Sequence, residues 1–300
     1  MARRLHVSSL MIVQTAVEKF HRAMCGVLSP RTLYWYGVKL SPLVKSFGSR
    51  EAKSLTLDDF RELRAALAGR GLSPWTLHGH LRAMRRLFRW LCIEGVIESN
   101  PTQSLELPRL PMEARKGIAF DDMRRMLDAA RAHHPRDHAL MMFLADTAAR
   151  IGGASGLRLS DIDLDAGRAI VREKGGRERA VYFKPSTSAA LARWLDARAG
   201  YSPQSDHVFV SLRDGGRLSG RALYSVLKRT AERAGVSERW NPHAWRHGAA
   251  RGMLTNGASL AHVSQLLGHK DVNVTVKFYG AFADDELQEA HSRYSWAPDS

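Results

Sequence analysis

The residues best suited to chemistry lie in the last third of the chain, in NPHAWRHGAARGMLTNGASLAHVSQLLGHKDVNVTVKFYGAF. This stretch holds His243-x-x-Arg246-His247, then Leu-Leu-Gly-His ending at His269, then Tyr279. Upstream stand Arg150, in DTAARIGGASGLRLSDIDL, and Lys174, in EKGGRERAVYF. Together they could break and remake a phosphodiester without a metal. A tyrosine can be the nucleophile, and because a phenol leaves more easily than an alkoxide, the covalent intermediate stays reversible. Two arginines can grip the phosphate oxygens in bidentate fashion and offset the charge that builds in the transition state. Histidines can donate hydrogen bonds or move protons near neutral pH. A lysine at a hairpin tip can reach into a groove and protonate the departing 5′ oxygen.

These residues need elements to hold them. Residues 1–105 read as all helical. Apolar residues recur at helical spacing from Leu10 to Met24, and Ser29-Pro30, Thr56 with Asp58 and Asp59, and Ser73-Pro74 are three helix starts. The helix from Pro74 to about Glu94 carries an apolar stripe of Leu77, Leu81, Met84, Phe88 and Leu91. Its other face holds His78, Arg82, Arg85, Arg86 and Arg89, with no acid until Glu94, and is expected to meet phosphates. A surface helix simply wetting a basic face is the plainer alternative. Residues 106–117 read as an interdomain linker, in a proline-punctuated stretch. Residues 118–300 form the second expected domain. It has helices from Phe120 and from Asp137, a small antiparallel sheet around residues 158–183 with a hairpin turn at Lys174-Gly175-Gly176, then helices at 186–198 and 219–234, and a last one near 284–293. The fold class is mixed α+β, mainly helical. Arg177 and Arg179 alternate on the second hairpin arm, to touch a DNA backbone or face solvent.

Composition narrows the partner. Lys+Arg number 45 against 30 Asp+Glu, a net charge of +15, which favours a polyanion. No run approaches the roughly 20 apolar residues of a membrane span, and no lipidation motif or polybasic tail is present. Double-stranded DNA is therefore the expected partner, with no membrane. The apolar run after MARRLHV is broken by Ser8 and Ser9, so a cytoplasmic protein is expected rather than a secreted one. Cys25 and Cys92 have no metal-ligand spacing and read as small buried hydrophobes. His133-His134 reads as a loop feature without a metal role, His247 and Tyr294 as structural.

The ordered set of Arg150, Lys174, His243-x-x-Arg246, His269 in an L-G-H turn and Tyr279 resembles the tyrosine recombinase family, that is, the phage integrases and the Xer- and Cre-like site-specific recombinases. The resemblance covers nearly the whole chain. It implies a helical, SAM-like core-binding domain and a catalytic domain that clamp a duplex from opposite sides. It implies Arg150 and Arg246 as the phosphate clamp, Lys174 as general acid, His243 and His269 as paired histidines and Tyr279 as nucleophile. A 3′-phosphotyrosyl link, a Holliday junction and a homotetramer on two short inverted-repeat sites follow, with no cofactor, metal or ATP. A separate arm-binding domain is not expected. Two positions depart from the pattern. Gly153 stands where the family often has an acid, three residues after the first arginine, with Asp161 and Asp163 nearby in sequence. Trp245 replaces a usual leucine. The rivals are a DNA-binding protein of the same fold that does not turn over, with Gly153 as its warning sign, and a type IB topoisomerase.

Overall fold

The computed structural model describes residues 11–111, 117–173 and 176–268, with the isolated positions 271, 273, 276, 288, 291 and 292. Lys174, His269, Tyr279 and most of the expected last helix lie outside the described residues. The chain divides into two compact units, Met1–Met112 and Glu113–Ser300.

Among the described residues the first unit is helical: α1 (Val13–Met24), α2 (Pro30–Phe47), α3 (Leu57–Gly69) and α4 (Pro74–Ile93). Its helix starts follow from their caps. The Ser29 and Ser73 hydroxyls accept from the N–H groups of Thr32 and Thr76, each at 3.2 Å, ahead of a proline in the first turn. Thr56 and Asp59 close a reciprocal capping box. The apolar stripe of α4 is buried as its spacing requires, with Phe88 edge-on to Phe60 of α3 at 4.9 Å between ring centres. Neither cysteine is buried as expected. Cys25 is exposed because it falls one residue past α1, in the turn toward Leu28. Cys92 is half-buried near the end of α4, and burial pushes its thiol pKa up.

The second unit is built on α6 (Pro135–Thr147), most of whose residues are buried. Around it pack α5 (Phe120–His133), α8 (Pro185–Arg198) and α10 (Pro242–Thr255). The other helices are α7 (Ile151–Gly156), α9 (Gly220–Arg233) and α11 (Leu260–Leu267). The three strands form an antiparallel meander, β1 (Ile162–Asp163), β2 (Arg168–Glu173) and β3 (Arg177–Tyr182), which matches the mainly helical fold with one small sheet. Glu173 pairs with Arg177, Val171 with Arg179 and Ala169 with Val181. Alternation along β2 puts Ala169 and Val171 in the core and sends Arg172 outward to Asp161 and Glu178, at 2.6 and 2.7 Å.

His133 ends α5, and His134 alone lies outside the helices, as the one-residue connection to α6. There its Nδ1 accepts from the Arg136 N–H at 3.1 Å and its Nε2 meets the Tyr201 hydroxyl at 2.8 Å. Gly248 is a glycine of necessity, because a Cβ there would sit 2.8 Å from atoms of Ile118, whose N–H bonds the Ala244 carbonyl of α10. That close approach fixes the entry of the second unit against the helix that carries Arg246.

Candidate active site

Helix α10 begins where Asn241 accepts from the N–H groups of His243 and Ala244, each at 3.1 Å, with Pro242 in the first turn. His243 and Arg246 are one turn apart on this helix, close to its start. His243 is exposed, while the neighbouring Trp245 is wholly buried, a packing substitution as its apolar character suggests. Arg246 is buried as well. Its Nη1 donates to the Ala148 carbonyl at 2.7 Å and its Nη2 to the Leu267 carbonyl. The Leu266 carbonyl takes Arg179 Nη1 at 2.5 Å. The last turn of α11 thus receives two guanidinium groups on carbonyls that have no partner within the helix, where positive charge is favoured. The turn closes on Gly268 at φ 66°, and a Cβ there would lie 2.8 Å from Arg179 Cδ, so only glycine lets the arginine cross.

Arg150 comes from the other side. It caps α7, just after α6 ends at Ala148, whose φ of 49° turns the chain sharply. Arg150 Nη1 is paired to Glu173 Oε2, and the Arg150 N–H faces Glu173 Oε1 at 3.5 Å. Glu173 Oε1 also meets Arg179 Nη2 at 3.4 Å and Arg246 Nη1 at 3.9 Å. The structure therefore brings Arg150 and Arg246 together on one carboxylate, with Arg179 as a third member. Three guanidiniums against one carboxylate leave surplus positive charge, the condition for holding a phosphate. Burial, with Arg179 and Arg177 nearby, lowers the Arg150 pKa, and burial takes Arg179 down to about 10. The Arg150 side chain keeps 40% exposure against 8% for Arg246, so it is the more open of the two to an incoming anion.

Sequence reasoning missed Glu173 and misjudged Arg179. The latter was expected on the DNA or in solvent, but it faces the core side, because it pairs opposite Val171 and shares that strand face. The same alternation points Glu173 inward, a signal that was present in RAIVRE. Neither Asp161 nor Asp163 touches Arg150. Asp161 holds Arg172 and the Arg158 N–H, and Asp163 accepts from the Ala166 N–H at 2.8 Å. Among the described residues, no group of three or more His, Cys, Asp or Glu side chains could hold a metal ion.

On the first unit, Arg82, Arg86 and Arg89 are exposed along α4 and His78 is half-buried, its pKa lowered by burial and then by Arg82 and Arg85. Arg85 departs from the expected basic face. Its guanidinium turns to the carbonyls of Thr102 at 3.2 Å, Gln103 at 3.4 Å and Leu105, and so ties down the segment after α4. Arg177 is exposed on β3. The two kinds of arginine should separate experimentally. Arg86→Ala is expected to reduce the slope of log K against log salt for DNA binding by about 1, with thermal stability unchanged. Arg85→Ala should leave the slope alone and destabilise the fold by about 1–3 kcal/mol, since carbonyls lose their donor. Fluorescence anisotropy across salt, with urea unfolding, checks both.

Residues 116–286 match the phage integrase family. The chain is 32% identical over 261 residues to the tyrosine recombinase XerC of Alcanivorax borkumensis, covering 85% of each chain. It is 30% identical over 275 residues to that of Oceanobacillus iheyensis, covering 88% of this chain and 90% of the relative. Among solved structures it resembles the Tn1549 transposon integrase in complex with a circular intermediate DNA, at a TM-score of 0.79 and 18% identity over 94% of this chain and 99% of that one. It also resembles a lambda integrase dimer bound to a COC′ core site, at 0.77 and 17% over 94% and 81%. Those two likenesses concern the fold. The matched span and the identity to relatives covered over most of their length place the chain in the phage integrase family of tyrosine recombinases.

Proposed function

We propose that the protein is a site-specific DNA recombinase whose nucleophile is Tyr279. The observation that carries this is the convergence of Arg150 and Arg246, from two separate elements, at one positively charged spot. In this scheme the two guanidiniums hold the non-bridging oxygens of the scissile phosphate. Tyr279 attacks phosphorus, a 3′-phosphotyrosyl bond forms, and the bond to the 5′ oxygen breaks. Lys174 gives that oxygen its proton, and His243 and His269 hydrogen-bond the phosphate or carry the phenol proton. The free 5′ hydroxyl then attacks the phosphotyrosine of the partner duplex, so a Holliday junction forms and resolves. Bond energy is conserved throughout, and the chain's own side chains supply each group.

The finer picture is part of the same proposal. The first unit is the core-binding domain, with Arg82, Arg86 and Arg89 on phosphates, and the second is the catalytic domain. Four protomers act on two short inverted-repeat sites in the cytoplasm, for phage integration, transposon mobility or dimer resolution. A silent DNA-binding protein was the rival suggested by Gly153. Against it stands Glu173, which supplies a carboxylate to both clamp arginines.

The test is covalent trapping. Wild-type protein is incubated with nicked duplexes of random sequence in chelator, denatured, and its linked DNA sequenced. Adducts at one shared sequence are expected. Adducts at unrelated sequences would indicate a topoisomerase, and specific binding without adducts would overturn the enzyme assignment.

A further inference from the structure

We propose that Glu173 is a positioning residue for the recombination chemistry, and that it works from the strand into the space that Gly153 leaves on α7. The inference rests on the recombinase assignment above. Its carboxylate is 7% exposed and bridges three guanidiniums, Arg150, Arg179 and Arg246. Without a carboxylate, three buried or half-buried cations would repel one another, and the two clamp arginines would separate. With it, each guanidinium is oriented from the inner side, and the exposed part of Arg150 is left for the phosphate.

Gly153 lies against this arrangement and leaves it room. A Cβ there would lie 3.3 Å from Val171 Cβ and 3.8 Å from Glu173 Cγ, so the glycine lies directly beside the glutamate stem. An acid placed at 153 would compete for the same space. The carboxylate therefore comes from β2 instead of α7. This has a mechanical result, because Lys174 follows Glu173 directly in the chain. The residue that aligns the clamp and the residue proposed to protonate the leaving group share one peptide bond, so hairpin and clamp are tied together.

The experiment compares single-turnover cleavage of the trapped site's nicked duplex by full-length wild type, Glu173→Gln, and Glu173→Ala combined with Gly153→Glu. Glu173→Gln keeps the shape and removes the charge. It should slow cleavage about 10- to 100-fold, the range for losing a group that orients a reacting-centre ligand, with DNA affinity within about threefold of wild type. The double variant, whose acid comes from α7, should recover most of the rate. On a methylphosphonate at the scissile position, which carries no charge for the arginines to offset, the Glu173→Gln penalty should shrink to under about threefold. A Glu173→Gln enzyme as fast as wild type overturns the inference. So does a penalty equal on both substrates, or a double variant that regains thermal stability without rate, since either marks a purely structural residue. If wild type itself forms no adduct, the recombinase assignment fails first and this inference falls with it.

Discussion

Tyr279→Phe is expected to bind the target duplex as wild type does and to form no covalent adduct, a loss of about 10^5-fold or more in cleavage, as for removal of other nucleophiles. The substitution removes one oxygen and keeps the ring, so packing and charge are preserved. Cationic side chains on phosphates set the salt dependence of binding, and a neutral phenol adds no charge to them, so the slope should be unchanged. The neighbouring Phe278 has no hydroxyl and cannot substitute. Denaturing electrophoresis of labelled nicked DNA reads the adduct, and anisotropy reads the binding. Residual adduct at the same phosphate would move the nucleophile to another residue.

Arg246→Lys is expected to lower the cleavage rate by about 10^2- to 10^3-fold, about 2.7–4 kcal/mol, even though the charge is kept. The reason is the fork. Nη1 and Nη2 of Arg246 serve carbonyls on two different elements, Ala148 after α6 and Leu267 at the end of α11, and Nη1 also approaches Glu173. An ammonium is a single point on a flexible stem and cannot meet these groups and a phosphate together. Each carbonyl left without its donor should also cost about 1–3 kcal/mol of stability. Stopped cleavage reactions and urea melts of the same preparation measure the two effects. A lysine variant that melts early but cleaves normally would reduce Arg246 to a structural tie between helices.

Much of the fold was readable because it rests on local rules. Ser29-Pro30, Thr56 with Asp59 and Ser73-Pro74 announce their helices through side chains within three residues, and the α4 stripe is a matter of period. Order and spacing single out Arg150, His243 and Arg246 as candidates, and the structure brings the two arginines into one cluster. What escaped was set by tertiary partners. Arg85 lies on the same helix face as Arg82 and Arg89 by period, yet the carbonyls of residues 102–105 claim it, and no count along one helix reveals a chain segment returning to it. Likewise the acid was sought three residues past Arg150 because local motifs run along the sequence. Glu173 is 23 residues away and adjacent only across the packing of α7 on β2. Cys25 was misjudged for the opposite reason: its neighbours are apolar, but the helix ends one residue too soon to turn it inward.

The left-handed turn at Ala148 has a consequence for how this protein tolerates change. What the site uses at 148 is a backbone oxygen aimed by a positive φ, and the methyl group only fills buried space. What matters at this position is therefore chain shape. Glycine, and to a lesser degree asparagine, can inherit the geometry, whereas valine or isoleucine, closer to alanine in hydrophobicity, cannot without swinging the carbonyl away from Arg246. A substitution scale built on side-chain similarity would rank those variants in the wrong order, and in a collection of randomly mutated copies the lesion would register as lost strand cleavage at a residue that is wholly buried.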